Sequence, residues 1–356
     1  MQISHVEVTP VDLSLRMPYR SACHTDNPVE KIVAIFIRIE TRKGETAWGC
    51  AAFDPLITGE SRDGVLAACR RAADRALDLN PLNTEFAISE IEPLTRSSPS
   101  ALCAFDIAFH DLLGLATGLP LHRLLGGYRD SIPTSITVSL APLRETVELA
   151  RDRARQGFRI LKLKGGLDAE DDVRRIHAVC DALPGITIRL DADGGYSIQE
   201  ALDVARALEG RLEMLEQPVS PSAGLEALQQ VTQQSPVPIL ADQSATGTAS
   251  VLDIAGQRAA DGVSIKLATC GGILHARQID AIARAAHLVT MVGCVHEPAL
   301  LIAAELAFAL SSPAVRYGDL DGHFDLVEDP TFAHFTLQDG SLIASEVPGL
   351  GCTVDL

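Results

Sequence analysis

The chain is poor in basic residues, contains no C-x-x-C motif and is not expected to contain a membrane-spanning segment. Lysine and arginine number 30 against 47 aspartate and glutamate, for a formal charge of −17 over 356 residues. This balance argues against nucleic acid or an anionic membrane as a partner. The eight cysteines form no C-x-x-C pair, so reduced thiols are expected. Neither a secretion signal nor an apolar run long enough to span a bilayer is recognised, and a cytoplasmic location is predicted.

Five ionisable residues recur at an almost constant interval through the middle of the chain. Each stands near the end of a short apolar run, and neighbours are about 25 residues apart, the size of one strand–helix unit of a (β/α) barrel. Such barrels keep their catalytic groups at the C-terminal ends of the strands. The pattern therefore predicts charged residues around a barrel mouth. They are, in chain order, Lys164, Asp191, Glu216, Asp242 and Lys266.

Three regions follow one another along the sequence. Residues 1–125 begin with alternating, strand-like segments and continue with helical ones, which predicts an α+β capping domain. Residues 126–320 alternate strands with helices, which predicts a (β/α) barrel that carries the catalytic residues. Residues 321–356 return to short strands and turns and are expected to pack on the capping domain. The barrel strands are predicted near 134–140, 160–164, 186–191, 212–216, 238–242, 262–266, 288–292 and 315–319.

The three carboxylates of the series are candidate metal ligands. A set made only of oxygen donors favours Mg²⁺ over Zn²⁺. Any one of these residues could instead cap the helix that follows its strand. Three in phase on consecutive strands favour the metal site, with Asp191, Glu216 and Asp242 as ligands.

The lysines are candidate bases. Lys162 and Lys164 lie two positions apart, so their side chains project from the same face of one strand. Inside a barrel mouth such lysines are costly unless they meet anions, and crowding with partial desolvation is expected to lower the pKa of one of them. Lys266 lies on the sixth strand, across the mouth from the second. Two bases on opposite faces of a substrate permit epimerisation, since one removes an α-proton and the other returns it to the opposite side.

The combined motifs resemble the enolase superfamily, in its muconate-lactonizing subgroup. The matching segments are LKLKGG, DAD, EQP, ADQS and IKLATCGGI, and the resemblance covers essentially the whole chain. It implies a modified TIM barrel with an α+β cap and a Mg²⁺-stabilised enediolate intermediate. It also implies that Lys162 contacts the substrate carboxylate and that Lys164 and Lys266 form the acid/base pair.

Within the subgroup, two further features resemble dipeptide epimerases. One is the run Ile57-Thr58-Gly59-Glu60, and the other is the pair Asp319 and Asp321 after the eighth strand. In that family the D-x-D pair holds the free ammonium of a dipeptide, which suits two carboxylates at a barrel mouth. The alternative is a simple Asp-Gly turn. The resemblance thus implies a dipeptide substrate that is epimerised at its C-terminal residue.

The specificity residues depart from those of alanyl-glutamate epimerases, which use an arginine in the first loop. That position holds His24, with Asp26 close by and Asp54 in the second loop. An acidic lining favours a basic or neutral C-terminal residue of the dipeptide. His296, after the seventh strand, is a further candidate for substrate binding, although a structural role is as common for a lone histidine.

Two other departures lie near the metal ligands, and other functions stay open. Asp193 stands where the family often has asparagine, and Gln243 where it commonly has glutamate. An o-succinylbenzoate synthase, an N-acylamino acid racemase or a muconate-type cycloisomerase would share the mouth residues but need no ammonium site. A non-enzymatic scaffold is a third interpretation. A homo-oligomer is expected, as barrels of this kind usually associate.

Overall fold

In the computed structural model, which describes residues 1–356, an N-terminal cap of sheet and helices covers one end of a barrel. The alternating N-terminal segments pair antiparallel, with Val6 opposite Ile39 and Leu13 opposite Ile32. The polar segment 20–28 is the loop between these two strands. The cap consists of β1 (Ile3–Tyr19), β2 (Val29–Thr41), β3 (Thr46–Ala52), α1 (Pro55–Thr58), α2 (Arg62–Ala76), α3 (Thr84–Thr95), α4 (Pro99–Thr117) and α5 (Leu121–Leu125).

Helix α4 is the central helix of the cap. It begins with a proline at its first turn and ends at Gly118, which adopts the left-handed conformation at φ 71°. By length and composition it could cross a membrane, contrary to the expectation that no such run exists. However, 78% of its apolar window is buried inside the fold, because α4 packs against β3, α2 and α3. Its hydrophobicity is therefore used in the core.

The barrel is built from eight parallel strands joined by helices. Each predicted strand is present within a few residues of its expected bounds. Strand β4 (Ser131–Pro133) precedes the barrel and belongs to another sheet. The barrel elements are β5 (Ser135–Val138), α6 (Leu143–Arg155), β6 (Ile160–Lys164), α7 (Ala169–Ala182), β7 (Thr187–Asp191), α8 (Ile198–Ala207), β8 (Leu212–Glu216), α9 (Leu225–Gln234), β9 (Ile239–Ala241), α10 (Thr248–Gln257), β10 (Gly262–Ile265), α11 (Leu267–Cys270), α12 (Ile273–Ala285), β11 (Val289–Gly293), α13 (Ala299–Ala309) and β12 (Val315–Asp319).

The strands follow one another around the barrel in sequence order from β5 to β12. Closure comes from the bridge between Thr134 and Gly318, and the Thr134 hydroxyl accepts a hydrogen bond from the Leu320 amide at 2.8 Å. Strands β6 and β10 are four places apart in this ring of eight, so they lie on opposite sides of it. The ends of the strands meet beneath the cap.

No helix follows β12; the chain instead returns to the cap. Strand β13 (Leu326–Val327) pairs antiparallel with β1, where Leu15 faces Leu326. The remaining short strands lie along the flank of the molecule, where β16 pairs with β4. They are β14 (Thr331–Ala333), β15 (Thr336–Gln338), β16 (Ser341–Ile343) and β17 (Cys352–Val354).

Candidate active site

A cavity lies between the barrel mouth and the cap. Its floor carries Lys162, Lys164 and Lys266, and its cap side is formed by the end of β1 and by Ile57 of α1. The loop after β5, residues 137–142, forms one wall, and the segment after β11 forms another. Chemistry-bearing residues from six strands therefore meet a single enclosed volume.

Three carboxylates lie side by side on the floor of the mouth. Asp191 ends β7, Glu216 ends β8 directly opposite Asp191, and Asp242 follows β9. The first two are completely buried and Asp242 is 6% exposed. Neither carboxylate oxygen of Glu216 receives a hydrogen bond. Burial, followed by the charge of Asp191, raises the pKa of Glu216 to about 8.

The charges of the site fit a hard divalent cation. Two buried, orphaned carboxylate oxygens on Glu216 are costly without a positive partner, and oxygen donors are those that Mg²⁺ prefers. Carboxylates outnumber lysines by two to one, so the three lysines alone leave negative charge unbalanced. The residues in this count are Lys162, Lys164, Lys266, Asp191, Asp193, Glu216, Asp242, Asp319 and Asp321.

The two candidate bases occupy opposite sides of the mouth. Lys164 ends β6 and Lys266 directly follows β10. The Lys164 ammonium lies 2.6 Å from Asp191 and 3.0 Å from Asp193, and the Lys266 ammonium lies 2.7 Å from Asp242. Each base is therefore held by a carboxylate that is itself a candidate metal ligand.

The expected lowering of a lysine pKa is not found. Burial alone would lower the pKa of Lys164, but the negative charges of Asp191 and Asp193 raise it well above its ordinary value. Burial likewise acts to lower the pKa of Lys266, and Asp242 outweighs it. The prediction considered the neighbouring cations, which lower a lysine pKa, but not the number of carboxylates on the floor, which raise it.

Lys162 and the D-x-D pair form a second cluster on the floor. The Lys162 ammonium hydrogen-bonds to Asp319 and lies 3.3 Å from Asp191 and 3.5 Å from Glu216. Asp319 also accepts a hydrogen bond from Ser135 at 2.6 Å. Lys162 thus links the D-x-D pair to the candidate metal ligands.

Asp321 is held at the cavity wall by the loop after β5. Its carboxylate accepts a hydrogen bond from the Thr137 amide at 2.6 Å, and the Cys294 thiol lies 3.4 Å from it. A turn is present as well, because the Phe324 amide donates to the Asp321 carbonyl. Both carboxylates of the pair nevertheless line the cavity, so the turn and an anionic site coexist.

The candidate specificity residues are only partly brought together. The His24 ring lies 3.0 Å from Asp54, and its other nitrogen lies 3.1 Å from the Ser21 hydroxyl. Asp54 lines the cavity, whereas His24 is buried behind it. Asp26 is exposed and does not line the cavity. The predicted acidic lining therefore reduces to Asp54 on this side.

His296 lies in the cavity wall next to an aromatic residue that the sequence did not single out. Its ring meets Tyr19 edge-on, with ring centroids 4.5 Å apart. Burial lowers the pKa of His296 to about 4, so the ring is neutral at neutral pH. This pair forms an uncharged surface between the cap and the barrel.

The run Ile57-Thr58-Gly59-Glu60 fixes the second cap loop. Gly59 ends α1 in the left-handed conformation, and Glu60 accepts hydrogen bonds from the Ser100 amide at 3.2 Å and hydroxyl at 2.6 Å. Glu60 is thereby tied to the start of α4, while Ile57 reaches the cavity. The run acts as a support for the cavity wall.

Sequence reasoning missed the polar residues of β5. Ser135 and Thr137 hold Asp319 and Asp321, respectively. They are two positions apart and so share the inward face of a buried strand. The Ser135 hydroxyl on the inward face of a buried strand was the available signal, whereas the Thr137 backbone amide offered none.

The sequence and the fold are similar to those of known enolase-type proteins and dipeptide epimerases. A family model described as enolase C-terminal domain-like matches residues 145–356. The L-Lys-D/L-Arg epimerase of Methylococcus capsulatus is 36% identical over 99% of each chain. A Methylococcus capsulatus dipeptide epimerase, solved with Mg and the dipeptide L-Arg-D-Lys, has a TM-score of 0.92 at 34% identity over 99% of each chain. The substrate-liganded L-Ala-D/L-Glu epimerase of Bacillus subtilis has a TM-score of 0.95 at 31% identity over 100% of each chain. These likenesses confirm the predicted class of fold, a TIM barrel with a cap.

Proposed function

The chain belongs to the enolase superfamily, and from that premise we propose that it epimerises dipeptides at their C-terminal residue with Mg²⁺ as cofactor. The observation that carries the proposal is the placement of Lys164 and Lys266 on opposite sides of one cavity that also contains the D-x-D pair. Its curated and solved relatives include several dipeptide epimerases. An isomerase with two bases and an ammonium site accounts for all of these residues together.

The chemistry begins with the placement of the substrate carboxylate. Lys162 would contact this carboxylate from the floor, where it lies beside Asp191 and Glu216. Held by Asp191, Glu216 and Asp242, Mg²⁺ would supply the positive charge that stabilises the enediolate formed when the α-proton leaves. The fit of that ion rests on the orphaned oxygens of Glu216.

Inversion at the α-carbon follows from the two lysines. In its neutral form one lysine takes the α-proton from one face, and the ammonium of the other donates a proton to the opposite face. The roles exchange for the reverse reaction. The carboxylates that raise the pKa of Lys164 must therefore be compensated when substrate and cofactor bind.

The free ammonium of the dipeptide distinguishes the proposal from the related chemistries. Asp321 and Asp319 would hold this ammonium, since Asp319 is paired with Lys162 but Asp321 lies in the buried wall without a cationic partner. N-acylated substrates and muconate lactones carry no such group. The D-x-D pair therefore favours a dipeptide over these alternatives.

We expect a C-terminal residue that is basic or neutral. Asp54 lines the cap side of the cavity, and His24 contacts Asp54. The anionic side chain of alanyl-glutamate would meet the Asp54 carboxylate there. Lys-Arg-type and apolar dipeptides are the leading candidates.

The test is exchange of the substrate α-proton in D₂O with Mg²⁺, monitored by NMR or mass spectrometry on a library of L,L-dipeptides. Label at the C-terminal α-carbon, with formation of the L,D epimer, is the expected result. Label on N-acylamino acids but on no free dipeptide would move the assignment to a racemase of acylated amino acids. If the protein binds Mg²⁺ but incorporates label into neither free dipeptides nor N-acylamino acids, the proposal is contradicted.

A further inference from the structure

Two buried carboxyl groups lie behind the Lys266 side of the cavity and have no place in the proton transfer proposed above. Glu297 follows β11 and Glu305 lies within α13, and both are completely buried. Lys266, the cation that acts on both, is ion-paired with Asp242 at 2.7 Å instead. Two adjacent carboxylates in such surroundings cannot both be ionised.

The hydrogen bonds of the pair point to a shared proton. One oxygen of Glu305 accepts from the Leu267 amide at 3.3 Å, and one oxygen of Glu297 accepts from the Val295 amide at 3.4 Å. The other oxygen of each carboxyl is buried and receives no donor from the rest of the protein. The two carboxyls are in hydrogen-bonding contact, so a proton on Glu305 that is donated to Glu297 satisfies both.

The surroundings favour retention of this proton. Burial raises the pKa of both carboxyls, and the charge of Glu297 raises the pKa of Glu305 further, so Glu297 ionises first and Glu305 keeps the proton. Only one of the titratable groups around the pair is a cation. The groups are Cys50 of β3, Cys103 of α4, Lys266 after β10, Cys294 after β11 and Asp321 after β12.

The pair connects the ends of three consecutive strands. Leu267 is the residue directly after the base Lys266, and Val295 belongs to the cavity wall after β11. Gly322, next to the D-x-D pair, packs so closely that an added Cβ would lie 2.0 Å from the Val295 carbonyl and 3.2 Å from Glu297. The carboxyl pair therefore fixes the backbone from which Lys266 enters the cavity.

We infer that Glu305 and Glu297 form a proton-sharing pair that positions Lys266 for its half of the epimerisation. This inference rests on the proposed two-base function. Neither glutamate lines the cavity or hydrogen-bonds to a candidate metal ligand, and the pair acts through the Leu267 amide, so both glutamates are positioning residues. Their effect should be confined to the substrate face that Lys266 serves.

Isotope exchange at each epimer separates the two faces. Forward and reverse epimerisation are linked by the equilibrium constant and so cannot report on one base alone. Isotope exchange with retention of configuration can report on one base alone, because each lysine removes and returns a proton on its own face. The Lys266→Ala and Lys164→Ala variants establish which epimer each lysine exchanges.

We expect Glu305→Leu to slow exchange by about tenfold for the epimer that Lys266 serves and to change the other less than about threefold, since small misplacements of a reacting group cost rates of this order. Glu305→Gln is the matched control. Its amide can donate to Glu297 and its carbonyl can accept from Leu267, so exchange at both faces should stay close to wild type at pH 7.

A second measurement uses the control variant and does not depend on how well Glu305→Leu folds. In the wild type, loss of the shared proton in the alkaline range places a second negative charge behind Lys266. The ratio of exchange rates at the two faces should therefore change in the alkaline range in the wild type and stay constant over the same range in Glu305→Gln, which has no shared proton left to lose.

The outcomes separate this inference from the function on which it rests. Equal loss at both faces in Glu305→Leu, or the same pH dependence of the ratio in wild type and Glu305→Gln, would overturn the positioning role alone. No exchange by the wild type on any dipeptide would overturn the proposed function and this inference with it.

Discussion

At the scale of single residues, the site is defined by an excess of carboxylates that are placed where water cannot screen them. Glu216 is the extreme case, being fully buried with both oxygens unsatisfied. Buried charges of this kind lower the stability of a fold and are retained where they bind a cation. The effect of such residues on stability and their contribution to cation binding can be measured separately.

Glu216→Gln should stabilise the metal-free protein and abolish its response to Mg²⁺. Because burial raises the pKa of Glu216 to about 8, ionisation of this group opposes folding above pH 4.5, and its removal should add roughly 1–3 kcal/mol at pH 7. Thermal unfolding with EDTA and with Mg²⁺ tests both effects. A Mg²⁺-dependent rise in Tm that persists in the variant would exclude Glu216 as a ligand.

Asp321→Asn tests the proposed ammonium site. The amide keeps an acceptor for Thr137 but loses the charge, so kcat/KM for free dipeptides should fall by about 10- to 100-fold, the size expected for a hydrogen bond to a charged group. The matched control is an N-acetylated dipeptide, whose much slower turnover should not fall further. Equal losses on both substrates would instead indicate a general disturbance of the cavity.

At the scale of elements, strand positions were predictable and their contacts were not. The periodic strand ends located Lys164, Asp191, Glu216 and Lys266. Alternation along a strand fixes the face on which a side chain lies, and the regular spacing of the strands fixes the end of the barrel. Nothing local in the sequence indicated that Asp26 would face solvent or that Lys162 would contact Asp319, since loop paths and cross-barrel pairs depend on the whole fold. The closeness of β3 to α4 was hidden for the same reason.

Gly49→Ala should disrupt the packing of β3 on α4. A Cβ at this position would lie 1.8 Å from the Ala104 carbonyl, so backbone must move, and we expect destabilisation of several kcal/mol. Gly256→Ala is the control, because an added Cβ in α10 meets nothing and should stabilise the helix by about 0.5–1 kcal/mol. Chemical denaturation measures both, and similar effects of the two substitutions would contradict this assignment.

At the scale of the whole molecule, the cap is hydrogen-bonded to the C-terminal segment of the chain. Asp111 of α4 accepts hydrogen bonds from the Trp48 amide at 3.4 Å and from the Leu350 amide at 2.8 Å. One buried carboxyl thereby links a cap strand, the central cap helix and the C-terminal segment. Because Asp111 is buried, its ionisation lowers the free energy of unfolding by an amount that depends on pH.

Asp111→Asn should reduce the pH dependence of stability between pH 4 and 7. Burial raises the pKa of Asp111 to about 7, so the folded state holds a proton that the unfolded state releases above pH 3.8, and stability falls as the pH rises through this window. Relative to the variant, the wild type should lose a few kcal/mol across it. Urea unfolding at several pH values measures the difference, and parallel pH profiles would refute it.

The return of the chain from β12 to the cap also bears on protein synthesis. Asp319 and Asp321 are followed within a few residues by β13, which completes the sheet begun by β1 near the N-terminus. A growing polypeptide can fold its early parts as they emerge, but it cannot finish this sheet or place the D-x-D pair until β13 has left the ribosome. Chains that terminate before β13 should therefore lack the proposed activity altogether.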